Sequence, residues 1–226
     1  MVEVIFFDAV GTLFGVRGSV GQMYQVVAQE WGVEIDPQVT DRCFYQVFQA
    51  APPMAFPGCP PALIPEREYE WWYQRAVETF QAAGYYGKFT DFDRFFQRLY
   101  DFFAKADPWE VYPETAEVLT ELQRRGYRLA VISNFDSRLF PVMAALGLSS
   151  FFARVIISTQ VGGAKPDRLI FQTALAQLQV PATQALHVGD SRREDYEGAI
   201  GAGLQAFWLQ RPHHTLADVF SCLQQT

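Results

Sequence analysis

The sequence predicts an α/β protein, a doubly wound parallel sheet with a long helical insertion after its first strand. The first observation is an apolar run, Val2 to Phe7, that ends at Asp8 and is typical of a strand buried on both faces. The second is the regular alternation of strand and helix patterns after Pro108, which indicates parallel βαβ units. One core with an insertion therefore fits the 226 residues.

The insertion has helical spacing throughout. Apolar residues recur every three or four positions from Ser19 to Trp31, and Asp36-Pro37 has the residues of a helix start. Helical patterns resume at about Glu66 and after Thr90, on the far side of a loop, residues 52–65, that contains six prolines. We expect core residues 1–14 and 108–226, an all-helical insertion over 15–107, and substrate specificity residues in the proline-rich loop.

The second part of the core alternates between helix and strand. Gly126 ends the first of its helices, and Ser133-Asn134 ends the strand that follows. The predicted elements, in order, are helix 113–125, strand 129–132, helix 138–146, strand 155–158, helix 166–178, strand 185–188, helix 194–202 and strand 205–209.

Composition excludes several classes of function. The formal net charge is −7, from 18 basic and 25 acidic residues without a basic run, which argues against nucleic-acid binding. No apolar run approaches the roughly 20 residues that cross a membrane, and the first residues lack the pattern of a signal peptide. The three cysteines are far apart and predict neither disulfides nor a zinc site. We expect a cytoplasmic protein that acts on a small molecule; its oligomeric state stays open.

Groups suited to chemistry follow four predicted strands. Ligands of open parallel sheets bind at the carboxyl ends of the strands, so these groups should surround one cleft. Each alone is an ordinary turn or surface residue, but together they form an active-site pattern. They are Asp8 with Thr12, Ser133 with Asn134, Lys165, and Asp190 with Asp195.

The segments FFDAVGTLF, VISNFD, GAKPD and HVGDSRREDYEGA resemble, in order and spacing, the four motifs of the haloacid dehalogenase superfamily, subfamily IA. The resemblance covers the whole chain and implies a Rossmann-like core with a C1-type helical cap, whose closure would exclude water. It implies that Asp8 is the nucleophile within a first motif that includes Thr12, and that Ser133 and Asn134 hold substrate oxygens. Lys165 would counter the charge of Asp8 and of an anionic substrate.

The resemblance also implies a Mg²⁺ site. Its ligands would be Asp8, the backbone carbonyl of Val10, Asp190 and Asp195. Val10 departs from the family pattern, because phosphatases of this superfamily carry at that place a second Asp that acts as general acid and base. The loss of such a group lowers rates on the order of 10² to 10⁴-fold. We expect Mg²⁺-dependent hydrolysis of a small phosphorylated metabolite that is weak or selective.

Two alternatives stay open. One is a 2-haloacid dehalogenase, because halide leaves without a proton and the first motifs of such enzymes also lack the second Asp. Against it, those enzymes need no metal and have a Tyr where this chain has Phe171. The other is a catalytically weak or inactive protein that binds a ligand or partner, because a fold alone does not guarantee activity.

Two further features have less weight. A phosphonoacetaldehyde hydrolase also lacks the second Asp but requires a cap lysine, and Lys88 and Lys105 both lie too late in the insertion. His187 tempts a catalytic assignment, but a histidine just before the end of a strand usually packs beneath the site.

Overall fold

The structure is a computed structural model that describes residues 2–224, and the chain folds as two compact units. Within the described residues the first unit consists of residues 2–15, 54–61 and 111–224, and the second of Val16–Pro53 and Ala62–Glu110. The predicted insertion covered 15–107, so the proline-rich loop differs from the prediction: part of it, residues 54–61, lies in the first unit. There the Ser158 hydroxyl donates to the carbonyl of Met54 over 2.6 Å.

Strands account for the central sheet of the first unit and for one small additional sheet. The strands of the described residues are β1 Val4–Phe7, β2 Phe14–Val16, β3 Trp109–Val111, β4 Arg128–Ser133, β5 Arg154–Ile157, β6 Ala185–Gly189 and β7 Gln205–Trp208. The five-stranded sheet has the order β5-β4-β1-β6-β7 and its pairings are parallel. The α/β prediction is confirmed. β2 and β3 form a separate two-stranded sheet and were not predicted.

The helices differ in length between the units. Those of the described residues are α1 Val20–Gln29, α2 Pro37–Ala50, α3 Ile64–Ala82, α4 Phe92–Phe102, α5 Thr115–Arg124, α6 Leu139–Ala145, α7 Ser158–Val161, α8 Arg168–Leu178, α9 Gly198–Gly201 and α10 Val219–Gln224. A π-helical segment, Arg192–Glu197, precedes α9. Over the described part of the chain, no helix is both long and apolar enough to span a bilayer.

The first unit is built around β1. All four residues of this strand are fully buried, as expected for a central strand covered on both faces. On one face Val4 and Phe6 pack with Ile170 and Phe171 of α8, whose apolar side recurs at helical spacing. Because β1 is buried on both faces, its register with the neighbouring strands is strongly specified. This register determines where Asp8, the next residue, lies.

The second unit has a core of aromatic residues from α1 to α4. Tyr24 of α1 stacks on Phe80 of α3, and Phe80 contacts Phe95 of α4 edge to face. The α2 helix begins as predicted, with the Asp36 carboxylate accepting hydrogen bonds from two backbone amides of the first turn. The predicted helical content of this part of the chain is therefore confirmed.

Candidate active site

The chemical groups predicted from the sequence meet at the carboxyl ends of three neighbouring strands. Phe7, the last residue of β1, pairs in register with Val131 of β4 and Val188 of β6. Asp8 therefore lies between the ends of its two neighbours, where β4 ends at Ser133 and β6 ends at Gly189. This is the edge at which open parallel sheets bind ligands.

Asp8 is buried and held from two sides. Its Oδ1 atom accepts a hydrogen bond from Lys165 Nζ over 2.6 Å and one from the Ser133 hydroxyl over 3.2 Å. Its backbone amide donates to the carbonyl of Val188 over 2.9 Å, which ties it to β6. Among the described residues no group donates to Oδ2, so this oxygen is available for chemistry.

Lys165 joins Asp8 to the acidic segment after β6. Its side chain is 1% exposed, and its ammonium group donates to the carboxylates of both Asp8 and Asp195. The Asp195 carboxylate also bonds His187 Nε2 over 2.9 Å and accepts from the amide of Ser191 over 2.9 Å. A buried ammonium between two carboxylates holds both at fixed distances.

The Asn134 side chain is hydrogen-bonded within the protein, and its role in holding substrate oxygens stays a prediction. Its amide nitrogen donates to the carbonyl of Lys165 (2.9 Å) and to the carboxylate of Glu194 (3.1 Å). Its amide oxygen accepts from the Lys165 amide over 2.7 Å. Both amide hydrogens are thus engaged, and Asn134 positions the backbone of Lys165.

In the segment after β6, the Asp195 carboxyl group lies close to the backbone of Gly189. An ideal Cβ on Gly189 would lie 2.2 Å from the carboxyl carbon of Asp195, so only glycine fits at the end of this strand. Ser191 caps the π-helical turn that follows, and its hydroxyl accepts from the amide of Glu194. The turn brings Asp195 back under β6, while Asp190 remains exposed.

The loop after Asp8 contains the two remaining predicted residues. Thr12 is fully buried, and its hydroxyl has no hydrogen-bond partner among residues 2–224. Val10 is partly buried and bridges to Phe14, and the assignment of its carbonyl as a metal ligand stays a prediction. Gly11 lies between them with φ +92°, a conformation that favours glycine.

Burial and charge shift the pKa values of this cluster in opposite directions. Burial raises the pKa of Asp8 to about 7, against the opposing charge of Lys165. Burial alone would lower the pKa of Lys165, but the charges of Asp195 and Asp8 outweigh it and raise that pKa. Burial would raise the pKa of Asp195, but Lys165 and His187 hold it low.

The pKa values of Asp190 and His187, at the edge of the cluster, also shift. Desolvation of its carboxyl group raises the pKa of Asp190 to about 6, and the charge of Asp195 adds to the rise. Burial lowers the pKa of His187, against its hydrogen bond to Asp195, so the neutral imidazole is favoured.

The cluster has the donors that a hard divalent cation requires. One carboxylate oxygen from each of Asp8, Asp190 and Asp195 lies within 4.8 Å of the other two. These three carboxylates face one ammonium group, that of Lys165, which leaves a formal excess of two negative charges. Oxygen ligands with this excess fit Mg²⁺, which binds through a few carboxylates and keeps several waters.

The sequence matches a known family over most of its length. A model of haloacid dehalogenase-like hydrolases matches residues 2–203. The chain belongs to this family. The human haloacid dehalogenase-like hydrolase domain-containing protein 3 is 32% identical over 213 residues, which are 93% of this chain and 83% of the human protein.

Two further proteins are similar over a shorter or a more distant match. The phosphoserine phosphatase of Thermus thermophilus is 37% identical over 111 residues, 49% of this chain and 45% of that enzyme. The crystal structure of an L-2-haloacid dehalogenase superposes with a TM-score of 0.76 at 20% identity, with full coverage of both chains. At that identity the likeness shows the shared fold.

Three residues of the site were missed or given a lesser role in the sequence. His187 was expected to pack beneath the site, and it also hydrogen-bonds the Asp195 carboxylate. The alternation of side chains along a strand could have predicted this contact, because His187 lies on the same face of β6 as Gly189, which approaches Asp195. Glu194 was not singled out, although it precedes Asp195 directly. Arg211 was not singled out either, although its guanidinium donates to the carbonyl of Thr12 over 3.0 Å, and no motif points to it.

Proposed function

We propose that this protein is a Mg²⁺-dependent phosphohydrolase that acts on a small phosphorylated metabolite through Asp8. The observation that carries the proposal is the group of three carboxylates, two of them paired with Lys165, with its formal excess of negative charge. Asp195 would anchor Lys165 in either reaction, whereas Asp190 has no use in halide displacement, which needs neither a metal nor an acid. The partial likeness to a phosphoserine phosphatase points the same way.

Asp8 would act as the nucleophile on phosphorus. Its Oδ2 forms the new bond to phosphorus while the bond from phosphorus to the alcohol oxygen breaks, and water then hydrolyses the aspartyl phosphate. Lys165 and Ser133 hold Oδ1, and this fixes the direction of Oδ2.

Mg²⁺ held by Asp8, Asp190, Asp195 and the Val10 carbonyl would supply positive charge beside the phosphate oxygens. The site provides no carboxylic acid at position 10 to protonate the departing alcohol. We therefore propose slow turnover, or turnover restricted to substrates whose leaving group needs no proton.

A second candidate is 2-haloacid dehalogenation, and Val10 is the observation that favours it. Halide departs as an anion, so an apolar side chain at this position is no handicap. Asp8 would then attack carbon, and the carbon–halogen bond would break. Water would then hydrolyse the aspartyl ester, and the reaction needs neither Asp190 nor a metal.

The deciding experiment measures phosphate release from a panel of phosphate esters and halide release from 2-haloacids, each with Mg²⁺ and with a chelator. Wild type is compared with Val10→Asp, Asp8→Asn and Asp107→Asn, the last being a control at an exposed aspartate in the second unit. We expect Mg²⁺-dependent phosphate release that rises on the order of 10²-fold in Val10→Asp.

Each other outcome has a definite meaning. Halide release that is insensitive to the chelator would establish the dehalogenase. Turnover that survives in Asp8→Asn would overturn the covalent mechanism. Silence from both substrate classes, in wild type and in Val10→Asp alike, would favour a ligand-binding or partner-binding role.

A further inference from the structure

Arg211 contacts the loop that follows Asp8, from a segment beyond the part of the chain that the family model matches. It lies three residues after β7, whereas the match ends at residue 203. Its guanidinium donates through Nε to the carbonyl of Gly11 over 3.3 Å and through Nη2 to the carbonyl of Thr12 over 3.0 Å. The side chain is 21% exposed, so most of it is removed from solvent.

The guanidinium is itself fixed on its other sides. It forms an ion pair of 2.7 Å with Glu114, and its carbon lies 3.7 Å from the centre of the Tyr112 ring. Glu114 is in turn held by the amide of Leu216 over 3.1 Å. A planar donor group stacked on a ring and paired with a carboxylate is preorganised for its remaining hydrogen bonds.

The loop that Arg211 holds is pressed against one of the carboxylates of the cluster. An ideal Cβ on Gly11 would lie 2.3 Å from Oδ2 of Asp190, so the backbone of Gly11 contacts that carboxylate directly. A small movement of Gly11 therefore changes the space beside Asp190. The Val10 carbonyl precedes Gly11 in the same turn and moves with it.

The segment before Arg211 holds the backbone of Asp190. The indole nitrogen of Trp208, the last residue of β7, donates to the backbone carbonyl of Asp190 over 2.9 Å. Trp208 and Arg211 thus fix Asp190 and the loop after Asp8 from one stretch of four residues. The bond from Trp208 does not involve the ion pair between Arg211 and Glu114.

We propose that Arg211 is a positioning residue for the reaction, which holds the Gly11 and Thr12 carbonyls so that the backbone after Asp8 stays against Asp190. Its effect on the loop stands on the contacts above, and its effect on the cation rests on the proposed function. Groups that orient metal ligands from outside typically change metal affinity 10 to 100-fold when they are removed. We expect about a tenfold weaker affinity for Mg²⁺ in Arg211→Gln.

The test combines two measurements on the full chain. Amide hydrogen exchange of peptides that cover residues 9–15 is followed in metal-free protein, and Mg²⁺ binding is followed by titration calorimetry. The variants are Arg211→Gln and Arg211→Lys, which keeps the charge but loses the planar fork. Glu114→Gln removes the ion pair but leaves both carbonyl bonds, and Arg124→Gln removes an exposed ion pair on α5.

We expect faster exchange of residues 9–15 in Arg211→Gln, an intermediate effect in Arg211→Lys, and wild-type exchange in Arg124→Gln. Glu114→Gln should change exchange and affinity less than Arg211→Gln. Equal exchange in wild type and Arg211→Gln, an unchanged Mg²⁺ affinity in Arg211→Gln, or an equal effect of Glu114→Gln would overturn the proposal.

Failure of the proposed function would give a different result. If wild type binds no Mg²⁺ and Asp190→Asn gives the same calorimetric trace, the proposed Mg²⁺ site is refuted. The exchange measurement in metal-free protein then still decides whether Arg211 holds the loop.

Discussion

The substitution Lys165→Met tests how much the buried ammonium contributes to stability. Lys165 is 1% exposed and pairs with both Asp8 and Asp195. Without it, three carboxylates remain with ligand oxygens within 4.8 Å of one another. Two unit charges at that distance repel by about 3 kcal/mol at an effective dielectric constant of about 20. Because one carboxylate can take up a proton, this repulsion is not summed over every pair.

We therefore expect Lys165→Met to lower the free energy of unfolding by about 3 to 5 kcal/mol, the range for a buried pair that loses one partner. The assay is urea denaturation at neutral pH in the presence of a chelator. Mg²⁺ should restore part of the loss, because a divalent cation replaces the missing positive charge. Asp8→Asn in the Lys165→Met background should also restore part of it, because one repelling charge is removed.

The matched control is Lys105→Met, at an exposed lysine, for which a change within about 0.5 kcal/mol is expected. A loss of less than about 1 kcal/mol in Lys165→Met would refute the reasoning. It would mean that the carboxylates are already neutralised by protons and that Lys165 is not their counter-charge.

Three further predictions concern neighbouring parts of the first unit. Gly189→Ala should lower the free energy of unfolding by about 1 to 3 kcal/mol, since its Cβ would overlap Asp195, as thermal unfolding can show. Thr12→Val should leave stability unchanged or raise it by about 1 kcal/mol in urea denaturation, because the buried hydroxyl has no partner among the described residues. Glu114→Gln should reduce the loss of stability in acid, measured as unfolding free energy at pH 7 and near pH 3.5.

The sign of the Glu114 effect follows from its hydrogen bonds. Burial alone would raise the pKa of Glu114, but bonds from its own amide, from Leu216 and from Arg211 lower it below its ordinary value of 4.5. The ionised carboxylate therefore stabilises the folded state above the unfolded pKa, and this contribution is lost as pH falls through the folded pKa. Because the pair is partly exposed, less than about 1 kcal/mol is expected.

Each of these predictions has an opposing outcome. Gly201→Ala is the control for Gly189→Ala, since its Cβ would meet no atom within 4 Å, and equal losses in both would contradict the overlap with Asp195. A loss above about 1 kcal/mol in Thr12→Val would show that the hydroxyl has a partner in solution. If Glu114→Gln and wild type lose the same unfolding free energy between pH 7 and pH 3.5, the pKa of Glu114 is the same in the folded and unfolded states.

The parallel core could be predicted because its signals are local. The apolar run at Val2 to Phe7 contains β1, Val4–Phe7, and the predicted strand 185–188 contains most of β6. The strand ends then placed Asp8, Ser133 and Asp190 at one edge of the sheet, since parallel strands end together. The hydrophobic periodicity and the residues that end strands and helices were sufficient to predict the parallel core.

The missed features depend on contacts between distant residues. β2 and β3 are three residues long and pair with each other across about 95 positions of the chain. We predicted one helix over 194–202, but a π-helical turn occupies Arg192–Glu197, with the Tyr196 amide donating to the Ser191 carbonyl. That turn places Asp195 on Lys165 and His187. The contact of Arg211 with Gly11 spans 200 positions and leaves no periodic trace.

The strand order has a consequence for the folding of this protein during its synthesis on the ribosome. β1 is made first, but its neighbour β6 lies about 180 residues later in the chain. At about 5 to 20 residues per second, translation leaves one side of this apolar strand without its partner for about 10 to 40 s. During that time the run Val-Ile-Phe-Phe presents an open edge suited to association with other chains. Nascent chains of this protein should therefore depend on a cotranslational chaperone until β6 emerges.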